Sequence, residues 1–209
     1  MFLFNKILFK YIVSFIDKKL KRIMVALETP ICNFGWKAPD FNLPGTDGKN
    51  YQFKDIRGSS GTLVMFICNH CPYVKSVIRR IVEDCNLIKE KGVGIIAIMS
   101  NDVNDPKYGL EDSFDNMKLF AKRHKFTFPY VYDETQKIGR TYDAVYTPDF
   151  FGFNSRNELQ YRGRLEASQQ QLIPNAKKEL LEAMLQIAET GMGPKDQIPS
   201  IGCSIKWKE

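Results

Sequence analysis

The run from Thr62 to Ser100 constrains the fold more than any other part of the chain. It opens with "TLVMFI" (62–67), a continuous apolar stretch that reads as a strand buried on both faces. From Val74 the apolar positions fall at 74, 77, 78, 81, 82, 85 and 88, the stripe of one helix, which Gly92 ends. "VGIIAIMS" (93–100) is a second buried strand. Strand, helix and strand in this order form a βαβ unit, the signature of an α/β protein with parallel strands at its centre.

The flanks keep alternating. "FNLPGTDGKNYQF" (41–53) has apolar ends around Gly45-Thr46-Asp47-Gly48, which predicts a hairpin. "NDVNDPKYGLEDS" (101–113) is longer than a usual connection and is a candidate functional loop. Phe114, Met117, Phe120 and Ala121 mark a helix, and "FTFPYVYD" (126–133) a short strand. "VYTPDFFGFNSRNELQYRG" (145–163) reads as two strands hinged at Asn154-Ser155-Arg156-Asn157. A last helix is predicted from about Pro174 to Glu189, stopping at Gly191. Pro194 and Pro199 keep the tail from being a regular helix, while Cys203 and Trp207 suggest that it docks. The expected organisation is one domain over 24–190 with the tail 191–209 packed on it, and neither an internal repeat nor a second domain is visible.

Charge removes one class of partner. The 209 residues carry 30 Lys/Arg and 24 Asp/Glu, a net +6. Six of those basic residues and only Asp17 among the acids lie in residues 1–23, so the rest holds 24 basic and 23 acidic groups. That is too even for a phosphate-tracking surface, and no nucleic acid is expected. The segment 1–23, "MFLFNKILFKYIVSFIDKKLKRI", stands apart. On a helix, Lys6, Lys10, Ser14, Asp17, Lys18 and Lys21 share one stripe, with Phe, Leu and Ile covering the rest, as in a basic helix lying on a membrane surface. Lys6 and Lys10 interrupt it too early for a bilayer span or a signal peptide. The plainer alternatives are translation from Met24, a disordered arm or an ordinary packed helix. The expected location is cytoplasmic, with membrane association through this segment as the alternative.

Five cysteines, at 32, 68, 71, 85 and 203, are odd in number and widely spaced, unlike a disulfide-stapled secreted scaffold. Only "FICNHCPYVK" (66–75) brings two together, Cys68 and Cys71 around Asn69-His70. A metal pair needs a second short-spaced pair, which Cys85, Cys203 and His124 are too scattered to supply, so no metal is expected. Cys85 sits on the helical stripe and reads as core. Cys32 and Cys203 lie toward the ends and read as packing or surface residues, though either could swing in as a resolving thiol. Trp36 and Trp207 read as packing residues.

Pro72 sets the register of the thiol pair. Proline suits the first position of a helix, where its missing N–H leaves no bond unmade. Cys71 is then the N-cap, its sulfur facing unpaired N–H groups and the positive end of the helix dipole, where a thiolate is stabilised. His70 and Lys75 could add positive charge there, or His70 could be a solvated turn residue. Cys68 lies outside the helix and receives less of that field. Three residues of straight strand span about 10 Å, whereas disulfide Cα atoms lie within about 7 Å, so Cys68 can pair with Cys71 only if the chain bends at Asn69.

The order of elements, with "GWKAPDFNLPGTDGK" (35–49), "FICNHCPYVK" (66–75) and "VYTPDFFGF" (145–153), resembles the thioredoxin fold with an N-terminal β-hairpin extension. More narrowly, residues 35–190 resemble the alkyl hydroperoxide reductase/thiol-specific antioxidant branch and, within it, the peroxiredoxin-like proteins. The resemblance implies an α/β fold with a central mixed sheet flanked by helices. It places Cys71 on the first, attacking cysteine of the thioredoxin-like pattern F-W-x-x-W-C-x-x-C, with Val74 where the second would stand. Against peroxiredoxins Cys71 falls on the peroxidatic cysteine. Cys68 then replaces the threonine three residues earlier, and Val64 the proline seven residues earlier. It also implies a cis Thr147-Pro148 bond opposite Cys71, where the exposed backbone pairs with an extended substrate. Read without the resemblance, Pro148 could simply mark an edge strand. "TPDF" lacks the arginine that polarises peroxide in peroxiredoxins.

The expected function is therefore thiol–disulfide exchange, with Cys71 attacking, Cys68 resolving, and Thr147, Pro148 and His70 at the substrate. No cofactor is called for. The expected partners are protein or small-molecule disulfides or hydroperoxides, and a cellular thiol as reductant. Two other readings stand beside it. One is a thiol peroxidase working through a Cys71 sulfenic acid, the other a non-catalytic module that holds a peptide in the Thr147-Pro148 groove.

Overall fold

The computed structural model describes residues 26–28 and 32–208, so the amphipathic stretch 1–23 lies outside the described residues. The centre is a five-stranded mixed sheet in the order β6-β5-β4-β8-β9. Its strands are β4 (Gly61–Phe66), β5 (Val93–Met99), β6 (Tyr130–Tyr132), β8 (Asp149–Asn154) and β9 (Leu159–Tyr161). β4, β5 and β6 run parallel, and β8 is antiparallel to both of its neighbours.

The continuous apolar runs are explained by what covers the two faces. Leu63 and Met65 of β4 point into one cluster with helix α2 (Pro72–Lys89), α3 (Phe114–Arg123) and α5 (Glu179–Thr190), while Val64 and Phe66 point into the other. That second cluster is closed by the hairpin β2 (Asn42–Pro44) and β3 (Asn50–Gln52), the single turn α1 (Phe53–Ile56) and α4 (Lys137–Thr141), with Trp36, Phe41 and Tyr142 filling it. The period-2 side-chain alternation of a strand thus feeds two cores at once. Burying each large apolar side chain contributes about 1.5–3 kcal/mol, so the α2 stripe outweighs any local helix propensity in fixing where that helix lies.

The hairpin closes as its sequence predicts. Gly45 N–H donates to Lys49 C=O at 2.7 Å, and Gly48 takes a φ of 84°, which suits glycine. Two elements differ from expectation. The last helix begins at Glu179 rather than near Pro174, because Asn175 is left-handed and Lys178 is turned out of the helix to meet Asp84 of α2 at 2.7 Å. The strand in 126–133 shortens to Tyr130–Tyr132, because Lys125 is left-handed and Phe126 still bonds back to Ala121 at the end of α3.

A second, three-stranded sheet runs β1-β10-β7, from β1 (Ala26–Glu28), β10 (Ile201–Ser204) and β7 (Tyr146–Thr147). The chain's tail therefore forms a strand beside Thr147 rather than an irregular coil. Beyond β10, Arg140 lies 4.4 Å over the Trp207 ring and fastens that last segment to the domain.

Candidate active site

The site lies beyond the carboxyl ends of the parallel strands, the usual place for chemistry in such sheets. β4 pairs with β8 so that Phe66 faces Asp149. One step further along both chains, Pro148 and Thr147 lie beside the loop that carries the cysteines. That loop bends at Asn69-His70 and enters α2 with Cys71 as N-cap and Pro72 at its start, as the sequence requires. The Thr147-Pro148 bond is cis.

Three sulfurs meet there. Cys71 Sγ lies 3.1 Å from Thr147 C=O, to which it donates when protonated, and 2.9 Å from Cys203 Sγ on β10. Cys68 Sγ shares a 3.1 Å hydrogen bond with Thr147 Oγ1. All three cysteines are buried. β10 reaches Cys71 because it pairs antiparallel with β7, Cys203 opposite Thr147 and Ser204 opposite Tyr146.

The electrostatics separate the three. Burial works against charge on Cys71. Hydrogen bonds with Cys203, Cys68 and Thr147 and the Val74 N–H outweigh it and hold this thiol well below its ordinary range. Burial pushes the Cys68 thiol up, helped by its bond to Cys71 and by the negative charge of Asp112. Cys203 is raised first by its bond to Cys71 and then by burial. The arrangement is that of one thiolate held by two thiols.

Asp112 anchors the cysteine loop. Its Oδ1 accepts the N–H groups of Asn69 (2.8 Å) and His70 (3.2 Å), and its Oδ2 accepts His70 Nδ1–H (2.6 Å) and Asn101 Nδ2 (2.7 Å). A carboxylate can only accept, so His70 carries its proton on Nδ1. The His70 ring stacks on Tyr108 at 4.3 Å and is buried, not a solvated turn residue. Tyr130 OH donates to Asn69 Oδ1 at 3.1 Å. The long loop 101–113 thus supplies the anchor of the site. Its length was the only sequence signal; nothing in the spacing singles out Asp112, Asn101 or Tyr108.

The structure gathers Cys68, His70, Cys71 and Thr147 in one buried cluster with Pro148 adjoining. Cys203, which the sequence reads as packing or surface with resolution as an option, joins them in direct contact with Cys71. Cys85 is buried in the α2 core and Cys32 beneath the tail, where burial pushes it up to about 11. Donor atoms of Cys68, His70 and Asp112 lie within 4.8 Å of one another, a grouping that could hold a cation. Here both Asp112 oxygens are filled by N–H donors, so hydrogen bonds knit the group together.

Residues 34–168 match the model of the AhpC/TSA family. A thiol-disulfide oxidoreductase ResA from Bacillus thuringiensis subsp. konkukian is 26% identical over 144 residues, covering 69% of this chain and 77% of that protein. A solved structure of an uncharacterized conserved protein from Geobacillus kaustophilus is 41% identical with a TM-score of 0.83, covering 89% of this chain and 98% of the other. A hypothetical protein from Sinorhizobium meliloti 1021 follows the same course at 28% identity and a TM-score of 0.80, covering 87% and 98%. A putative thiol:disulfide interchange protein DsbE from Chlorobium tepidum shares the fold at 22% identity and a TM-score of 0.54, over 75% of this chain and 98% of that one.

Proposed function

The chain belongs to the AhpC/TSA family and is a thiol–disulfide oxidoreductase, and we propose that Cys71 is its attacking group, with the Thr147-Pro148 edge as the seat of a disulfide-bearing substrate. The observation that carries this is the position of Cys71 Sγ, at the start of α2 and 3.1 Å from the Thr147 carbonyl. A thiolate there attacks a sulfur, and a neighbouring thiol then closes an internal disulfide and releases the substrate half. Cys68 is the partner to which the sequence points, and its sulfur shares Thr147 with Cys71. Protein or small-molecule disulfides fit as substrates, and a cellular thiol as the reductant that restores the pair. Disulfide exchange is favoured over peroxide cleavage because, among the described residues, the hydrogen-bond partners of Cys71 Sγ are Thr147, two thiols and the Val74 N–H, with no guanidinium among them to polarise a peroxide.

Insulin-type disulfide reduction, run beside stopped-flow oxidation by hydrogen peroxide, tests this. Cys71→Ser should lose roughly a thousandfold or more of the exchange rate, as expected when a nucleophile is removed. Full exchange by Cys71→Ser would take Cys71 out of the role. Peroxide oxidation far faster than disulfide exchange would make the protein a peroxidase instead.

A further inference from the structure

We propose that β10 is a resident substrate strand, and that Cys203, presented by it on the Thr147 edge, is the thiol that resolves Cys71. This rests on the reading of Cys71 as the attacking group. An extended substrate of such a site adds to the exposed backbone at Thr147, and in this chain that backbone already pairs with the tail, Cys203 opposite Thr147. Gly202 makes the approach possible, since a Cβ there would collide with the Thr147 carbonyl. Among the described residues, a crevice of about 30 Å³ lies beside Pro148, bounded by Tyr73, Ser200 and Ile201, about the room of one water. The strand is held on both sides of its cysteine. Ser200 Oγ donates to Pro148 C=O at 3.0 Å, and Ile205 N–H donates to Val145 C=O at 3.1 Å.

Cys203 is placed to be the partner. The two sulfurs are 2.9 Å apart, so a bond of about 2.05 Å needs them to close by less than an ångström. Cys68 belongs to a loop whose Asn69 and His70 N–H groups are both tied to Asp112, and its sulfur is engaged by Thr147 Oγ1. Cys203 stands instead where a departing substrate would have been.

The chemistry balances in atoms and electrons. With β10 lifted, Cys71 thiolate attacks one sulfur of an external disulfide; that S–S bond breaks, one half leaves as thiolate, and the other stays on Cys71 as a mixed disulfide. β10 reseats, Cys203 gives its proton to the solvent or the leaving thiolate and attacks Cys71 Sγ, and the second half departs. The external disulfide has gained two electrons and the Cys71–Cys203 pair has lost two; a cellular dithiol returns the two electrons, Cys203 recovers one proton, Cys71 returns to thiolate, and the dithiol's other proton goes to the solvent. The timing is built in. While Cys71 is a thiolate, its hydrogen bond and its charge keep Cys203 protonated, with burial helping. Once Cys71 is in a mixed disulfide that restraint is gone, and the nearby Lys206 favours the Cys203 thiolate.

Full-length reduced protein is treated with oxidised glutathione, quenched by alkylation, and mapped by peptide mass spectrometry. The expected product is a Cys71–Cys203 linkage, in wild type and in Cys68→Ser alike. Cys203→Ser should instead accumulate a glutathione adduct on Cys71 and release the second thiol at least roughly tenfold more slowly, since an intramolecular attack is lost. Gly202→Val keeps every thiol but unseats the strand, with Gly202→Ala as the milder version should it fail to fold. Both should speed the first attack on glutathione and slow closure of the linkage. A Cys68–Cys71 linkage in wild type, or closure of an internal disulfide in Cys203→Ser at the wild-type rate, overturns the role of Cys203 and leaves Cys71 as the attacking thiol. No reaction of Cys71 in wild type or in either Gly202 variant overturns that reading as well.

Discussion

Helix α2 places two buried cysteines, Cys71 at its N-cap and Cys85 on its inner stripe, and the structure treats them in opposite ways. Burial pushes the Cys85 thiol up, and the charge of neighbouring Asp84 pushes it further. Burial presses on Cys71 as well, but there it is overcome by hydrogen bonds from two thiols, Thr147 and the free N–H of Val74. The N–H groups around Cys85 are consumed by the helix ladder; those of the first turn are not. The two thiols differ because donors surround the Cys71 sulfur, Cys203, Cys68 and Thr147 first and the open first-turn N–H last, whereas at Cys85 burial meets no opposing donor.

The largest effect that could break this contrast is the pH dependence of the two thiolates. The ultraviolet absorption of thiolate, taken as wild type minus Cys71→Ser, should persist with little change from neutral pH well into the acid range. Wild type minus Cys85→Ser should show none until strongly alkaline pH. Stability responds with opposite signs. Between its folded and unfolded values Cys71 binds fewer protons when folded. Its contribution is therefore complete above the ordinary thiol value of about 8.5 and lost as pH falls toward the lowered one. Cys85, raised, contributes fully below that ordinary value and loses the contribution as pH climbs above it. Coincident titrations of the two cysteines would remove the distinction.

A smaller effect would sharpen it by loosening the loop before Cys71. Asp112→Ala leaves the buried N–H groups of Asn69 and His70 without acceptors and should cost about 3 kcal/mol or more in urea unfolding. Asp112→Asn, retaining one acceptor oxygen, should lose less and fold well enough to titrate. With the Asp112 charge gone, the Cys68 thiol should lie below that of wild type, and an unchanged titration would mean that burial and its bond to Cys71 alone hold it up.

The smallest effect belongs to Cys85. Cys85→Ala removes one buried heavy atom from the α2 core and should lower stability by about 1 kcal/mol while leaving disulfide exchange unchanged. Loss of exchange in that variant would tie the stripe to the chemistry and erase the difference between the two positions.

The local frame of the site is legible in the order of residues. Pro72 sets the start of α2 and hence the N-cap place of Cys71, the apolar runs at 62–67 and 93–100 set two central strands, and Gly45-Thr46-Asp47-Gly48 sets the hairpin. Each depends on residues a few positions apart, whose backbone preferences and side-chain period act without reference to the rest of the chain. The start of α5 escapes such a reading because it depends on a distant partner, Asp84. The same holds for the deepest parts of the site. Asp112 reaches Asn69 across 43 positions, and Cys203 reaches Cys71 across 132. Their meeting is set by strand register, β8 on β4 and β10 on β7, and register depends on how two buried faces fit together. No local preference brings a cysteine near the chain's end to 2.9 Å from the sulfur at the start of α2; the packing of the two sheets does.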